Sequence, residues 1–278
     1  MLKVVGTNSI GDPKMTSLNE NDPTKERLDI IAARMLLDYD NVTPGTIYAE
    51  GLRLDLSQAW RLQTTVTKLR EARGEQVVGY KVGCVDPGNQ KMMGVPHPVW
   101  GRLWASEQHE DGVVLAKSDY ANVSIEAEFG VTLSRDVVSG MSIDEIASCV
   151  EAVYPLLELH NLIMRGDAPH GHELVGNNCI HSGVVRGAPI RDLNGDRQTD
   201  LKLVYDGSVV DEWASLSWPG DLLAAVDWLA GNLETHGISL KAGDLVLTGA
   251  WGPPIPVGEH TGVEVRSSGF GNVTAIFK

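Results

Sequence analysis

An α+β fold, in which a smaller helical N-terminal part leads into a β-rich domain, is predicted by three observations on this chain. Apolar residues recur at helical spacing before Gly74, strand-like runs dominate after it, and later helices are inserted between hairpin-clustered strands rather than alternating with them. The boundaries fall at residues 1–20 for a flexible arm, 21–75 for the helical part and 76–278 for the β-rich domain.

Residues 1–20 are polar, with Gly, Asn, Ser and Pro scattered without period. Asp22-Pro23 supplies an N-cap and a proline at the first helical position, and Leu28, Ile31 and Met35 carry that helix to about Leu37. Ser57 is expected to open a second helix, with Ala59, Leu62, Val66 and Leu69 in one stripe and an end near Gly74. Strands are predicted at Val77–Val82, Gly112–Ala116 and Ser124–Leu133, and the Gly/Pro-rich stretch from Asp86 to Trp104 reads as a site-covering loop. Ser142-Ile-Asp-Glu145 is a capping box for a helix that feeds a strand through Glu158, and Asn161 to Gly183, without a period, reads as a loop over a site. The remainder holds a strand at Leu201–Tyr205, a hairpin turn at Asp206-Gly207, a helix from about Pro219 to His236, and strands at Asp244–Thr248, Gly262–Val265 and Val273–Phe277.

At 278 residues and 42% hydrophobic content the chain can bury a full core. A formal charge of -14 with no basic cluster argues against nucleic acid and anionic membranes as partners. No signal peptide and no apolar run near the roughly 20 residues of a membrane span is visible, so a cytoplasmic location is expected. Cys84, Cys149 and Cys179 are widely spaced without C-x-x-C, as in reduced, packed thiols.

Chemistry concentrates in Ser124-Ile-Glu-Ala-Glu-Phe-Gly-Val-Thr-Leu133. A strand's period of two puts Ile125, Ala127, Phe129, Val131 and Leu133 on one face and Glu126 with Glu128 on the other, where their repulsion calls for a cation. A solvated sheet face would explain that pair alone, but Glu158 interrupts the apolar run Tyr154–His160, and a carboxylate in such a strand needs a partner. Three carboxylates on two strands suit Mg²⁺ or Mn²⁺ with positions left for a chelating substrate. Lys81, between Gly79 and Gly83, is placed either to donate a proton and bind an anionic oxygen or to guard a sheet edge. Thr248 and the amides around Gly249, at a strand exit, could hold a substrate carboxylate or serve as an ordinary turn. His160, His170, His172 and His181 match no zinc spacing, and no G-x-G-x-x-G, P-loop or G-x-S-x-G occurs.

In order and spacing, Gly79-Tyr-Lys-Val-Gly83, Ile125-Glu-Ala-Glu128, Pro155-Leu-Leu-Glu158 and Ala242-Gly-Asp-Leu-Val-Leu-Thr-Gly249 resemble the 2-keto-4-pentenoate hydratase and 4-oxalocrotonate decarboxylase branch of the fumarylacetoacetate hydrolase superfamily. The resemblance covers about residues 50–278. It implies a fumarylacetoacetate-hydrolase-like mixed β-roll as the catalytic domain and Mg²⁺ or Mn²⁺ on Glu126, Glu128 and Glu158. It also implies Lys81 as the catalytic proton shuttle, Asn178, Thr248 and Gly249 at the substrate, and a homo-oligomer that can associate with a pathway partner enzyme. The implied reaction adds water to a 2-hydroxy-2,4-dienoate of aromatic catabolism to give a 4-hydroxy-2-oxo acid; alternatives are decarboxylation of a 4-oxalocrotonate-type 2-oxo acid and C–C hydrolysis of an acylpyruvate by a base among His170, His172 and Glu173. A non-catalytic subunit would have no need of Lys81 and three carboxylates together. Where relatives continue from the third glutamate toward a Ser-Arg pair, this chain has His160-Asn161-Leu162, and the stretch resembling A-D-N-A-S-S reads Gly176-Asn-Asn-Cys-Ile-His181.

Overall fold

The computed structural model describes residues 23–278, so the expected arm at 1–20 and the Asp22 cap lie outside the described residues. Helix α1 (Pro23–Asp40) runs past the expected end at Leu37. It is followed by the single turn α2 (Thr46–Ala49) and by α3 (Leu56–Ala72). The cap of α3 is Asp55 and not Ser57: its carboxylate accepts the Gln58 N–H while the Gln58 side chain accepts the Asp55 N–H, which puts Ser57 inside the first turn. Leu28, Ile31, Ala32, Met35, Tyr48 and Leu62 form a small core between these helices.

The strands, in chain order, are β1 (Val77–Gly83), β2 (Val99–Trp104), β3 (Gln108–Glu110), β4 (Val113–Leu115), β5 (Val123–Leu133), β6 (Val150–Asn161), β7 (His181–Arg186), β8 (Arg197–Tyr205), β9 (Ser208–Trp218), β10 (Leu245–Leu247), β11 (Ile255–Pro256), β12 (Gly262–Ser267) and β13 (Gly271–Phe277). Among the described residues they make two sheets. One has the order β2-β1-β10-β5-β6-β7-β3, with β11 also on β5; the other has the order β4-β13-β12-β8-β9. Parallel and antiparallel pairs are mixed within both, as the α+β expectation requires. One core joins the sheets, with Ile125, Phe129 and Val131 of β5 in the same cluster as Val263, Val265 and Phe277 of the second sheet.

Asp86–Trp104 is not a covering loop. Pro87 and Gly94 punctuate a helix, α4 (Pro87–Met93), with Asp86 capping Asn89 and Gly94 ending it at φ 69°; the wholly buried β2 then pairs with β1. The 161–183 segment likewise contains α6 (Gly171–Gly176) and the first residues of β7. The box at Ser142 opens α5 (Ile143–Ala147) as expected. The expected helix Pro219–His236 is two helices, α7 (Gly220–Leu223) and α8 (Val226–Thr235). Asp221 accepts both the N–H and the hydroxyl of Ser217, tying α7 to the end of β9 as a turn of its own.

Gly79 sets the position of β1. A Cβ there would lie 1.8 Å from the carbonyl oxygen of Leu245, the residue it pairs with on β10, and its φ is +155°. Replacement by alanine should therefore separate β1 from β10 and displace Lys81. Gly79→Ala is expected to cost roughly 3 kcal/mol or more, read as a lower urea midpoint at unchanged slope. A second contact anchors α3 on β2: Trp60 stacks on Trp100 at 4.7 Å, with the His236 ring 5.2 Å from Trp60. Burial, then Arg102 and His97, lowers the His236 pKa to about 4, below the ordinary value of about 6.5. The neutral ring thus contributes stability that is full above about pH 6.5 and is lost as pH falls through about 4. His236→Gln should lose less thermal stability than the unmodified protein between pH 7 and pH 4.

Candidate active site

Antiparallel pairing of β5 with β6 aligns Glu126 with Glu158 and Ser124 with His160, so period two gathers Ser124, Glu126 and Glu128 with Leu156, Glu158 and His160 on one face. The other face of β5 belongs to the main core, so this sheet is covered on both sides; Glu128 and Glu158 are completely buried. Lys81 arrives from β1 across β10, where it pairs with Leu247. It is no edge lysine: it is buried and its Nζ lies 2.9 Å from Glu158 Oε1. Leu103, Leu156, Val184, Leu245 and Leu247 form an apolar cluster beside these charges.

Glu158 is the hub of the polar set. His181 Nδ1 is 2.8 Å from its Oε1 and His160 Nε2 is 3.5 Å from its Oε2, while His160 also bonds Glu126 at 3.0 Å. Burial alone would raise the pKa of Glu158, but Lys81, then His160 and His181, outweigh it and hold this carboxyl well below the ordinary range. Lys81 shows the complement: burial works to lower its pKa, and Glu158 and Glu126 keep it above the ordinary lysine value. At Glu128 burial and the neighbouring Glu158 outweigh the pull of Lys81 and push this carboxyl well above the usual value.

One oxygen each of Glu128 and Glu158 is buried without a hydrogen-bond partner. Orphaned carboxylate oxygens in an apolar setting are what a divalent cation would satisfy, so the residues present fit such an ion. Among the described residues, Glu126, Glu158 and His160 offer ligand atoms within 4.8 Å of one another. Glu128, expected in that set, has instead turned one oxygen to the Gly249 N–H.

The residues expected at the substrate are engaged with the protein. The Gly249 amide does hold a carboxylate, but that of Glu128, and the Thr248 hydroxyl donates to the Phe129 carbonyl at 3.1 Å. Asn178 accepts the Arg102 N–H at 2.7 Å and donates to the Arg102 carbonyl at 2.8 Å. This pins the left-handed run Asn178, Cys179 and Ile180 (φ 53°, 54° and 54°) over β2 at Gly101, where a Cβ would meet the Asn178 carbonyl at 2.7 Å. Gly101 is the β2 partner of Lys81, so the turn passes beside the lysine. The three cysteines are free, and burial pushes the Cys84 thiol up to about 11 and the Cys179 thiol higher, so neither supplies a thiolate at neutral pH.

Beside the carboxylates lies a cleft whose walls include Met35, Tyr39, Val66, Arg70, Ile163 and His181. Arg70 is neutralised there by Glu75 at 2.7 Å and Glu107 at 2.6 Å, and it stacks 4.1 Å over Trp104. Tyr39 also donates to Glu107, at 2.7 Å. Sequence reasoning weighed His160 and His181 as zinc ligands and set them aside, and it had no role for Glu107, Tyr39 or Arg70. His160 carried a usable signal, lying two residues from Glu158 on the same strand face; the others are joined only by long-range contacts. Glu173, a candidate base for C–C hydrolysis, is spent on the Arg165 and Gly166 N–H groups at 2.7 and 2.8 Å.

Residues 85–277 match the family described as fumarylacetoacetate hydrolase, C-terminal. A 2-keto-4-pentenoate hydratase of Burkholderia vietnamiensis is 30% identical over 227 residues, covering 80% of this chain and 86% of that protein. The TodF product hydratase of Pseudomonas putida is 30% identical over 226 residues, 80% and 84% of the two chains. In structure, the 4-oxalocrotonate decarboxylase of Pseudomonas putida G7, solved with magnesium and adipate, superposes with a TM-score of 0.80 at 24% identity, over 91% of this chain and 98% of that one. No helix among the described residues is long and apolar enough to cross a membrane. From the shared fold and the extent of these matches, this chain belongs to the fumarylacetoacetate hydrolase family.

Proposed function

We propose that the protein is a divalent-metal-dependent hydro-lyase that adds water to a 2-hydroxy-2,4-dienoate and releases a 4-hydroxy-2-oxo acid. The observation that carries this reading is the group of buried Lys81, Glu128 and Glu158 with half-buried Glu126, and the orphaned oxygens on Glu128 and Glu158, in a chain whose curated relatives at 30% identity are hydratases. Glu126 and Glu158 would hold Mg²⁺ or Mn²⁺, with Glu128 or His160 completing the protein ligands; the imidazole favours Mn²⁺ more than an all-oxygen set would. When bound, the ion supplies Lewis-acid stabilisation of negative charge on the substrate's 2-oxygen.

The chain's own residues then have separate tasks. Lys81, whose Nζ lies 2.9 Å from Glu158 Oε1, would carry the proton between the substrate's 2-hydroxyl and C5. As the 2-hydroxyl loses its proton, C5 gains one and a conjugated 2-oxo-3-enoate results; water adds at C4 and C3 takes a proton. The apolar cluster at Leu103, Leu156, Val184, Leu245 and Leu247 keeps bulk water from Lys81 and the carboxylates, which strengthens each charge. A homo-oligomer in the cytoplasm, in contact with a pathway partner, is the setting we propose.

The sister decarboxylation needs a diacid, and a second carboxylate entering the cleft would look for a cation. Arg70, the arginine lining it, is already paired with Glu75 and Glu107, which favours a substrate with an uncharged far end. With Mg²⁺ present, 2-hydroxypenta-2,4-dienoate should lose its dienol absorbance as 4-hydroxy-2-oxopentanoate appears, and 4-oxalocrotonate should release no CO₂ above the spontaneous rate; the reverse pattern would make the protein a decarboxylase.

Glu126→Gln removes a ligand together with one like-charge repulsion. Activity should fall about 100-fold or more, while the melting temperature without metal stays within a few degrees or rises. Unmodified protein should gain thermal stability on adding Mg²⁺ or Mn²⁺ and lose the gain with a chelator, whereas Glu126→Gln should show little gain. Unchanged turnover in the variant would remove Glu126 from the site.

A further inference from the structure

Two buried acceptor atoms face each other between the carboxylate site and the cleft. His181 Nε2 and Glu107 Oε2 are 3.9 Å apart on side chains 0% and 10% exposed, and neither has a hydrogen-bond partner. The rest of each group is committed: His181 Nδ1 lies 2.8 Å from Glu158 Oε1, and Glu107 Oε1 accepts from Tyr39 and Arg70.

These commitments decide the hydrogens. An ionised Glu158 only accepts, so Nδ1 carries the hydrogen and Nε2 presents a lone pair. An Nε2–H aimed at Glu107 would close to about 2.8 Å as a charge-assisted bond, and the separation is 3.9 Å. Two acceptors at that distance cannot bond each other, and leaving both unsatisfied is costly. One molecule with two hydrogens serves both. Two buried acceptors that cannot bond each other are a place for a bridging water, whose oxygen lone pairs are then free to react.

Building on the hydration reading, we propose that His181 and Glu107 hold the water that adds to the substrate. The water oxygen forms its bond to C4 of the 2-oxo-3-enoate as the C3–C4 π pair shifts to give the enolate, and the departing proton passes to Glu107 Oε2. That proton moves to C3 when the ketone re-forms, so Glu107 ends as a carboxylate and one water has been added. His181 is a positioning residue: it accepts the second hydrogen, and its bond to Glu158 fixes the ring. Tyr39 and Arg70 saturate the other Glu107 oxygen, so Oε2 is the one that reacts.

The test separates the two halves of the reaction. In deuterium oxide with Mg²⁺, wild type, Glu107→Gln and His181→Phe are given 2-hydroxypenta-2,4-dienoate, and label at C5 is followed beside formation of the 4-hydroxy product. Both variants should lose about 100-fold or more in water addition and far less in C5 labelling, so that 2-oxo-3-enoate accumulates. Equal loss in both steps, or in neither, would overturn the assignment while leaving the hydratase reading standing; a wild type that labels and hydrates nothing would remove both. Should a variant fail to fold, a high-resolution crystal structure of the wild type decides: density for one water within hydrogen-bond reach of both atoms is expected, and its absence sinks the proposal.

Discussion

The fold is organised around a buried ion pair. Lys81 and Glu158 meet at 2.9 Å in a sheet covered on both faces, a setting in which either charge alone would be costly. The strand order β1-β10-β5-β6 is what lets β1 and β6 contribute to one point, since the short β10 leaves a lysine room to reach over it. Glu126 and Glu128 are then tolerable only because cationic groups already stand among them. The arrangement carries more carboxylate than local cation, a surplus that a further positive charge would balance.

Much of this was legible in the sequence because it rests on local periodicity. The alternation in Ile125–Leu133 gave the facing of Glu126 and Glu128; the intrusion of Glu158 into an apolar run announced burial. Asp206-Gly207 reads correctly as a hairpin turn, with both residues at positive φ, and the box at Ser142 opens a helix. What failed was punctuation with two meanings. Pro87 and Gly94 look like loop residues until they are seen as the first position and the end of a helix, and Asp55 competes with Ser57 for the same cap. The role of Glu107 could not be read at all. It sits in a 3-10 turn, without period, and its partners Tyr39, Arg70 and His181 come from two helices and a distant strand.

The two segments read in the sequence as unlike the family pattern became the more informative ones. His160, in the first of them, bonds Glu126 and approaches Glu158. His181, closing the altered Asn178–His181 run, bonds Glu158 from the other side. Both segments bring an imidazole to the same carboxylate, so they bear on the polar centre itself and not merely on the shape of the cavity.

The contact from Tyr39 and Arg70 to Glu107 crosses from the first and third helices to the turn after β2. Those helices also wall the cleft, so the helical prefix helps to build the cavity beside the polar centre. Prefix and sheet are therefore not interchangeable modules: a chimera joined near residue 75 from two family members would inherit one parent's carboxylates and the other's chamber wall. Recombination at that boundary should reshuffle the wall of the cleft while leaving Lys81 and the three carboxylates together on one parent's sheet.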